Sequence, residues 1–179
     1  YNELDAYINE LDEKKIYAYG RGDTPATDAV CEKLAALANG EDCCLVSSGM
    51  GAIALVFMEF LNANDHLICV QTVYSTARRF IDEFLVNKMN VEVTYVDGEN
   101  VDEFKKAIKE NTKLIYLETP SSAVFHLQDI EAISRLAKEK KIKVAVDNTY
   151  ATMLYQKTLD LGADLEIHSL SKYINGHND

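Results

Sequence analysis

Glycine and proline are scarce, eight and two in 179 residues, too few for a long disordered linker. Positive charge is short too: 18 Lys and Arg stand against 29 Asp and Glu, a formal net charge of −11. That balance counts against nucleic acid or an anionic membrane as the main partner, although a local cationic pocket is still compatible with it. No apolar run reaches the length that spans a bilayer, and no secretory leader is visible. The first residue is Tyr1 rather than Met, so a natural start further upstream is expected. The four cysteines, Cys31, Cys43, Cys44 and Cys69, form no C-x-x-C pair. Three lie in apolar surroundings, so buried reduced thiols are expected, not disulfides or metal ligands. A reducing, cytoplasmic setting is the matching expectation.

What is present suits one globular domain with a proper core: 47% apolar and 26% charged residues. A polar lead-in (2–13) reads as helix and "IYAYGRGDTP" as loop. Asp23 or Thr24 then caps a helix over "PATDAVCEKLAALANG", with Pro25 in its first turn and Gly40 as its stop. From there the chain alternates. Strands are predicted at 43–47, 66–70, 91–96, 113–118, 143–147 and 164–168. Helical segments lie between them, including "GMGAIALVFMEFLN", "ARRFIDEFLVNK", "VDEFKKAIKE", "LQDIEAISRLAKEK" and a short one near 153–161. Six apolar strands alternating with helices predict a parallel α/β sheet covered on both faces.

In such sheets ligands bind beyond the carboxyl ends of the strands. Those positions hold Ser47-Ser48-Gly49-Met50 at a helix start, Tyr74 in "QTVYSTARR", Glu118 before "TPSS", Asp147-Asn148-Thr149, and Ser169-Leu170-Ser171-Lys172. A helix N-terminus is a ready anion site. Gly49-Met50-Gly51-Ala52-Ile53-Ala54 matches the dinucleotide pattern G-x-G-x-x-A, but the next strand ends in Gln71-Thr72 without the acid that would hold a ribose. Pyridoxal 5'-phosphate fits better. It needs a lysine for a Schiff base, an acid at the pyridine nitrogen, a phosphate cradle and an aromatic neighbour. Lys172, Asp147, Gly49 with the serines, and Tyr74 supply these types.

"SSGMGAI", "KLIYLETPSS", "VAVDNTYAT", "LGADLEIHSLSKYINGH" and "YAYGRGDTPATDAVCEKLAAL" resemble the Cys/Met-metabolism family of pyridoxal-phosphate enzymes. The resemblance implies the pyridoxal-phosphate-dependent transferase fold, aspartate aminotransferase-like (fold type I). The expected divisions are an arm and first helix (1–40) and an incomplete cofactor-binding large domain (41–179), with the C-terminal small domain absent. It further implies that Lys172 holds the cofactor and shuttles protons, from a buried position beside cationic groups. Asp147 would pair with the ring nitrogen, and Tyr74 would stack on the ring. Ser48, Gly49, Met50, Ser169 and Ser171 would hold the phosphate. Ser122 and Thr149 complete the expected cofactor contacts. Tyr19 and Arg21 would serve a neighbouring subunit's phosphate site, which implies a homodimer or homotetramer.

The implied activity is a C–S lyase or γ-replacement on sulfur amino acids such as cystathionine, cysteine or O-acylhomoserine. An aminotransferase of the same fold, or a non-catalytic fragment, are the alternatives. The sequence departs from the family at Ser121-Ser122-Ala123, where "SNP" is common, at Ser75-Thr76-Ala77 after the tyrosine, and at Gly22-Asp23-Thr24-Pro25. No residue matches the arginine that grips the substrate carboxylate in the family's C-terminal domain, so low activity is expected of these residues alone.

Overall fold

The computed structural model describes Tyr17 and residues 24–177. The expected lead-in helix, Tyr19, Arg21 and Asp23 lie outside the described residues. The chain divides into two compact units, Tyr1–Leu45 and Val46–Asp179.

The first unit holds helix α1, Pro25–Ala38. Thr24 is its cap. The Thr24 hydroxyl accepts the Thr27 N–H at 3.1 Å, and the Thr27 hydroxyl accepts the Thr24 N–H at 2.9 Å. This reciprocal pair satisfies two donors that a helix start leaves open. The stop comes one residue before the expected glycine: Asn39 takes the left-handed conformation at φ 58°, which short polar side chains tolerate. Val30 and Leu37 are exposed.

Two expectations fail here. No strand covers 43–47 among the described residues. The stretch is apolar enough, but a strand exists only through its ladder, and it pairs with none of the five strands present. The thiols are also less buried than expected. Only Cys69 is buried; Cys31 and Cys43 are half-buried and Cys44 is exposed, and all four are free. Burial, reinforced by Cys31, pushes the Cys43 thiol up to about 11, so it stays protonated near neutral pH.

The second unit opens with helix α2, Gly49–Phe60, followed by β1, His66–Val70. The next helical stretch is not one regular helix. It runs as α3, Ser75–Phe80, a π-helical segment Ile81–Val86, and a last turn α4, Asn87–Met89. Then come β2, Glu92–Val96, helix α5, Val101–Ala107, and β3, Thr112–Glu118. Helix α6, Ile130–Glu139, leads to β4, Lys143–Asp147, and α7, Thr152–Tyr155, to β5, Leu165–Ile167. The five strands are parallel in the order β2-β1-β3-β4-β5. β1, β3 and β4 are almost fully buried, whereas the edge strand β2 is half-exposed. That split follows from position, because only interior strands are covered by ladders on both sides and helices on both faces.

The core lies between these strands and the helices, around Phe57, Leu67, Ile68, Phe104, Ile115, Tyr116 and Leu117. Phe57 and Tyr116 meet at 4.9 Å between ring centres, which ties α2 to the middle of the sheet. The strand order reverses at β1: the chain steps out to β2, then returns across β1 to β3. Such a switch point leaves a crevice at the carboxyl ends of the two central strands.

Candidate active site

β3 and β4 lie side by side, with Glu118 opposite Asp147 in the register. An acid at the end of an apolar strand has left the ladder's run but not the protein interior. Glu118 is 6% exposed and Asp147 8%. Burial disfavours a carboxylate's charge, and it raises both groups above their ordinary range, against the pull of their hydrogen bonds. Asp147 Oδ1 accepts the Thr149 N–H at 3.0 Å, and the Tyr116 hydroxyl donates to Oδ2 at 3.4 Å.

From Asp147 a chain of hydrogen bonds runs along the rim to the lysine. The Thr149 hydroxyl accepts the Ser169 N–H at 2.8 Å. The Ser169 hydroxyl accepts from Lys172 Nζ at 3.2 Å. Residues 169–175 form one tight turn, closed by Lys172 N–H to Ser169 C=O and Asn175 N–H to Leu170 C=O, each 3.1 Å. The turn leaves Ser171 and Lys172 exposed. This corrects the expectation of a buried lysine: among the described residues its side chain is exposed, with the amine bonded to Ser169.

The phosphate candidate lies against the same turn. Ser48 caps α2, its hydroxyl accepting the Gly51 N–H at 3.0 Å. The Gly49 and Met50 N–H groups open the helix, where an α-helix has no internal partner for them. A Cβ on Gly49 would stand 2.8 Å from Ser169 Cβ and 2.9 Å from its Oγ. Only glycine lets the start of α2 approach the Ser169 hydroxyl this closely.

Tyr74 precedes α3 and is 41% exposed. Ser122 is exposed in the loop after β3. Both are held through their backbones by one side chain: Glu118 Oε2 accepts the Tyr74 N–H at 2.7 Å and Oε1 the Ser122 N–H at 2.6 Å. In the sequence Glu118 stands at a strand end with no assigned role. Its only visible signal is an acid closing the run "KLIYLE". The loop also explains a departure. Ala123, where "SNP" would place proline, has φ 64°, whereas a proline is confined near −65°.

A second polar network lies beside this rim, and no motif in the sequence announces it. His168 Nε2 meets Glu166 Oε1 at 2.5 Å. Asn148 Nδ2 donates to the same oxygen at 3.0 Å, and the Thr158 hydroxyl donates to Oε2. Burial pushes the Glu166 carboxyl up, but hydrogen bonds from His168, Thr158 and Asn148 outweigh it and hold the group below its ordinary range. Gln156 Nε2 continues the network to the Thr119 carbonyl at 2.7 Å, anchoring the loop that follows β3. Among the described residues, no group of three His, Cys, Asp or Glu side chains is placed to hold a metal ion, and no helix is long and apolar enough to cross a membrane.

A parallel sheet with buried acids at the ends of two interior strands, a lysine turn after its edge strand and a glycine-opened helix against that turn is the framework of a cofactor-dependent α/β enzyme. Comparison with known proteins makes the class specific. The family model for Cys/Met metabolism PLP-dependent enzymes matches residues 1–179, so the chain belongs to that family, whose cofactor is pyridoxal phosphate. It is 44% identical over 169 residues to an L-methionine gamma-lyase of Treponema denticola, covering 93% of this chain and 42% of that protein. It is 39% identical over 171 residues to the cystathionine beta-lyase MetC of Bacillus subtilis, covering 96% and 43%. The crystal structure of metB from Corynebacterium glutamicum superposes with a TM-score of 0.89 at 39% identity, covering 92% of this chain and 43% of that one. The expected fold is therefore the observed one. The chain spans about two fifths of the length of the curated relatives it matches.

Proposed function

We propose that this chain is the cofactor-binding portion of a pyridoxal-phosphate-dependent C–S lyase or γ-replacement enzyme acting on sulfur amino acids. The observation that carries the reading is the unbroken path Asp147–Thr149–Ser169–Lys172, with Gly49 packed against Ser169. These groups fit the cofactor. The close approach of Gly49 and Ser169 leaves a cradle of N–H and hydroxyl donors for a phosphate. Asp147 is a buried acid that is costly to ionise alone and suited to a cationic ring nitrogen.

When bound, pyridoxal phosphate supplies an aldehyde that takes up amines and a ring that accepts electron density. Lys172 would hold the cofactor through its amine and could move a proton at the substrate's α-carbon. Its surface position leaves it within reach of an incoming amino acid, and Ser169 orients it. Asp147 keeps a proton on the ring nitrogen. Tyr74 covers the ring face and serves the leaving group. Ser48, Gly49, Met50, Ser169 and Ser171 bind the phosphate, and Ser122 and Thr149 steady the ring substituents. Tyr19 and Arg21 act on a neighbouring subunit's phosphate in a homodimer or homotetramer. The division into arm (1–40) and large domain (41–179), with the carboxylate-gripping domain outside it, belongs to the same reading, as does a cytoplasmic setting. The names of the relatives, lyases for methionine and cystathionine, support the substrate class.

The test is to supply the protein with pyridoxal phosphate and offer cystathionine, cysteine, methionine and O-acetylhomoserine in turn. Keto acid appearing with a thiol, or an exchanged γ-substituent, is expected from the full-length enzyme. Keto acid formed without sulfur release, with an amino group passed to an acceptor, would overturn the reading in favour of transamination.

A further inference from the structure

We infer that Glu118 is a positioning residue: its carboxylate spans the switch point and sets the distance between the Tyr74 loop and the Ser122 loop on either side of the cofactor site.

The sheet leaves these loops without a shared ladder. One follows β1 and the other follows β3, and at the switch point the chain diverges from between them. Parallel strands hold each other only as far as their last paired residues, Cys69 with Tyr116. Beyond that pair, Glu118 joins the loops. Each of its oxygens takes one backbone N–H, from Tyr74 at 2.7 Å and from Ser122 at 2.6 Å. Bonds to a carboxylate are short and roughly twice as strong as neutral ones. The side chain is itself buried, so little water competes. The main-chain N–H bonds fix the backbone of both loops, and the Ser122 hydroxyl bonds the same carboxylate.

The bridge works only while Glu118 is ionised. A protonated carboxyl presents an O–H on one oxygen, which then accepts only weakly. The titratable groups facing it are Asp147 from β4, Cys69 from β1 and Tyr116 from its own strand. All three remain when Glu118 alone is changed, so a difference between wild type and variant reports on Glu118.

The inference rests on the cofactor reading above, and the experiment separates the two. Glu118→Gln keeps the size and the fold but replaces one acceptor with an amide N–H; Glu118→Ala removes both. Circular dichroism checks that each variant is folded. Hydrogen exchange of the cofactor-free protein is then read at Tyr74 and Ser122. Both amides should lose about tenfold in protection in Glu118→Ala, and one of the two in Glu118→Gln. Pyridoxal phosphate binding, followed by absorbance, should weaken about tenfold in Glu118→Gln, and its acid-side decline should be smaller than that of the wild type, since only the part due to Asp147 remains. Unchanged protection at both amides, or identical binding and pH profiles in wild type and Glu118→Gln, would overturn the inference. Failure of the wild type to bind pyridoxal phosphate would instead overturn the cofactor reading, and amide protection would decide the bridge by itself.

Discussion

The two halves of the rim are built differently. At the ends of β3 and β4, Glu118 and Asp147 are buried, hydrogen-bonded through both oxygens and held by the most covered strands of the sheet. At the end of β5, the shortest strand, the chain turns outward and leaves Lys172 in solvent with its amine bonded to Ser169. The first half carries charge that the fold has preset and that burial makes unfavourable. The second half carries an amine that must meet two successive partners. A group that only holds a proton gains from rigidity and low dielectric. Among the described residues, the halves therefore differ in burial.

The sharpest way to break this comparison is Lys172→Ala. Borohydride treatment of the wild type with pyridoxal phosphate should fix the cofactor to the chain, adding its mass to the peptide that contains residue 172. The variant should show no such adduct, and an adduct of wild-type yield elsewhere would remove the central role from this turn.

Asp147→Asn comes next and tests the preset half. Binding should weaken about a hundredfold in a fluorescence titration, as expected when one partner of a buried charge pair is removed. Stability should move the other way. The folded-state pKa of Asp147 is raised by burial, so the native state binds the proton more tightly than the unfolded chain. Its contribution to stability therefore declines as pH rises from the unfolded carboxylate range through the raised folded value. Urea unfolding of cofactor-free protein at neutral pH should find the Asn variant more stable, by about 1 kcal/mol, with the gap closing in acid. Equal stabilities at both pH values would mean that burial does not strain this acid.

Gly49→Ala joins the halves, since the added Cβ would meet Ser169 at 2.8 Å. Phosphate-dependent binding should fall about tenfold, with a stability loss of about 1–3 kcal/mol from overpacking. Adding Ser169→Gly should recover stability but not affinity, because the hydroxyl donor is lost with the clash. Recovery of both would show that the serine does not serve the phosphate.

The smallest effect is expected in the loop between the halves. Ala123 holds a left-handed conformation at φ 64°, which costs a non-glycine residue about 1–2 kcal/mol. Ala123→Gly should raise the melting temperature by the equivalent of about 1 kcal/mol. Ala123→Pro should lower it, because the ring forbids that angle. A stabilising proline would show that the loop takes the path common in the family.

Much of this is legible in the chain. "HLICV" and "KVAVD" coincide with β1 and β4, because continuous apolar runs between polar breaks suit interior strands in a domain of this size. The order of groups at the strand ends is legible for the same reason. Residues 43–47 mislead: their composition suits a strand, but pairing is a long-range property that composition does not carry. The helix predicted over 77–88 misleads more gently. Its spacing is helical, yet the observed path contains a π-helical segment, with Asp82 bonded to both Arg78 and Tyr95.

The sequence by itself determined which residues follow β1, β3, β4 and β5, because that depends on local pattern and chain order; it misplaced Ser48 and Gly49 after a strand that does not form. The nearness of Lys172 to Ser169 is of the same kind, since the two are three positions apart within one turn. Only the tertiary structure decided that Gly49 would lie against Ser169, that Glu118, bonded to Ser122 nearby in the chain, would also reach Tyr74, and that Asp147 would be buried. The physical reason is distance along the chain. Contacts between residues dozens of positions apart or more depend on strand order and register, and those are set by how the whole core packs.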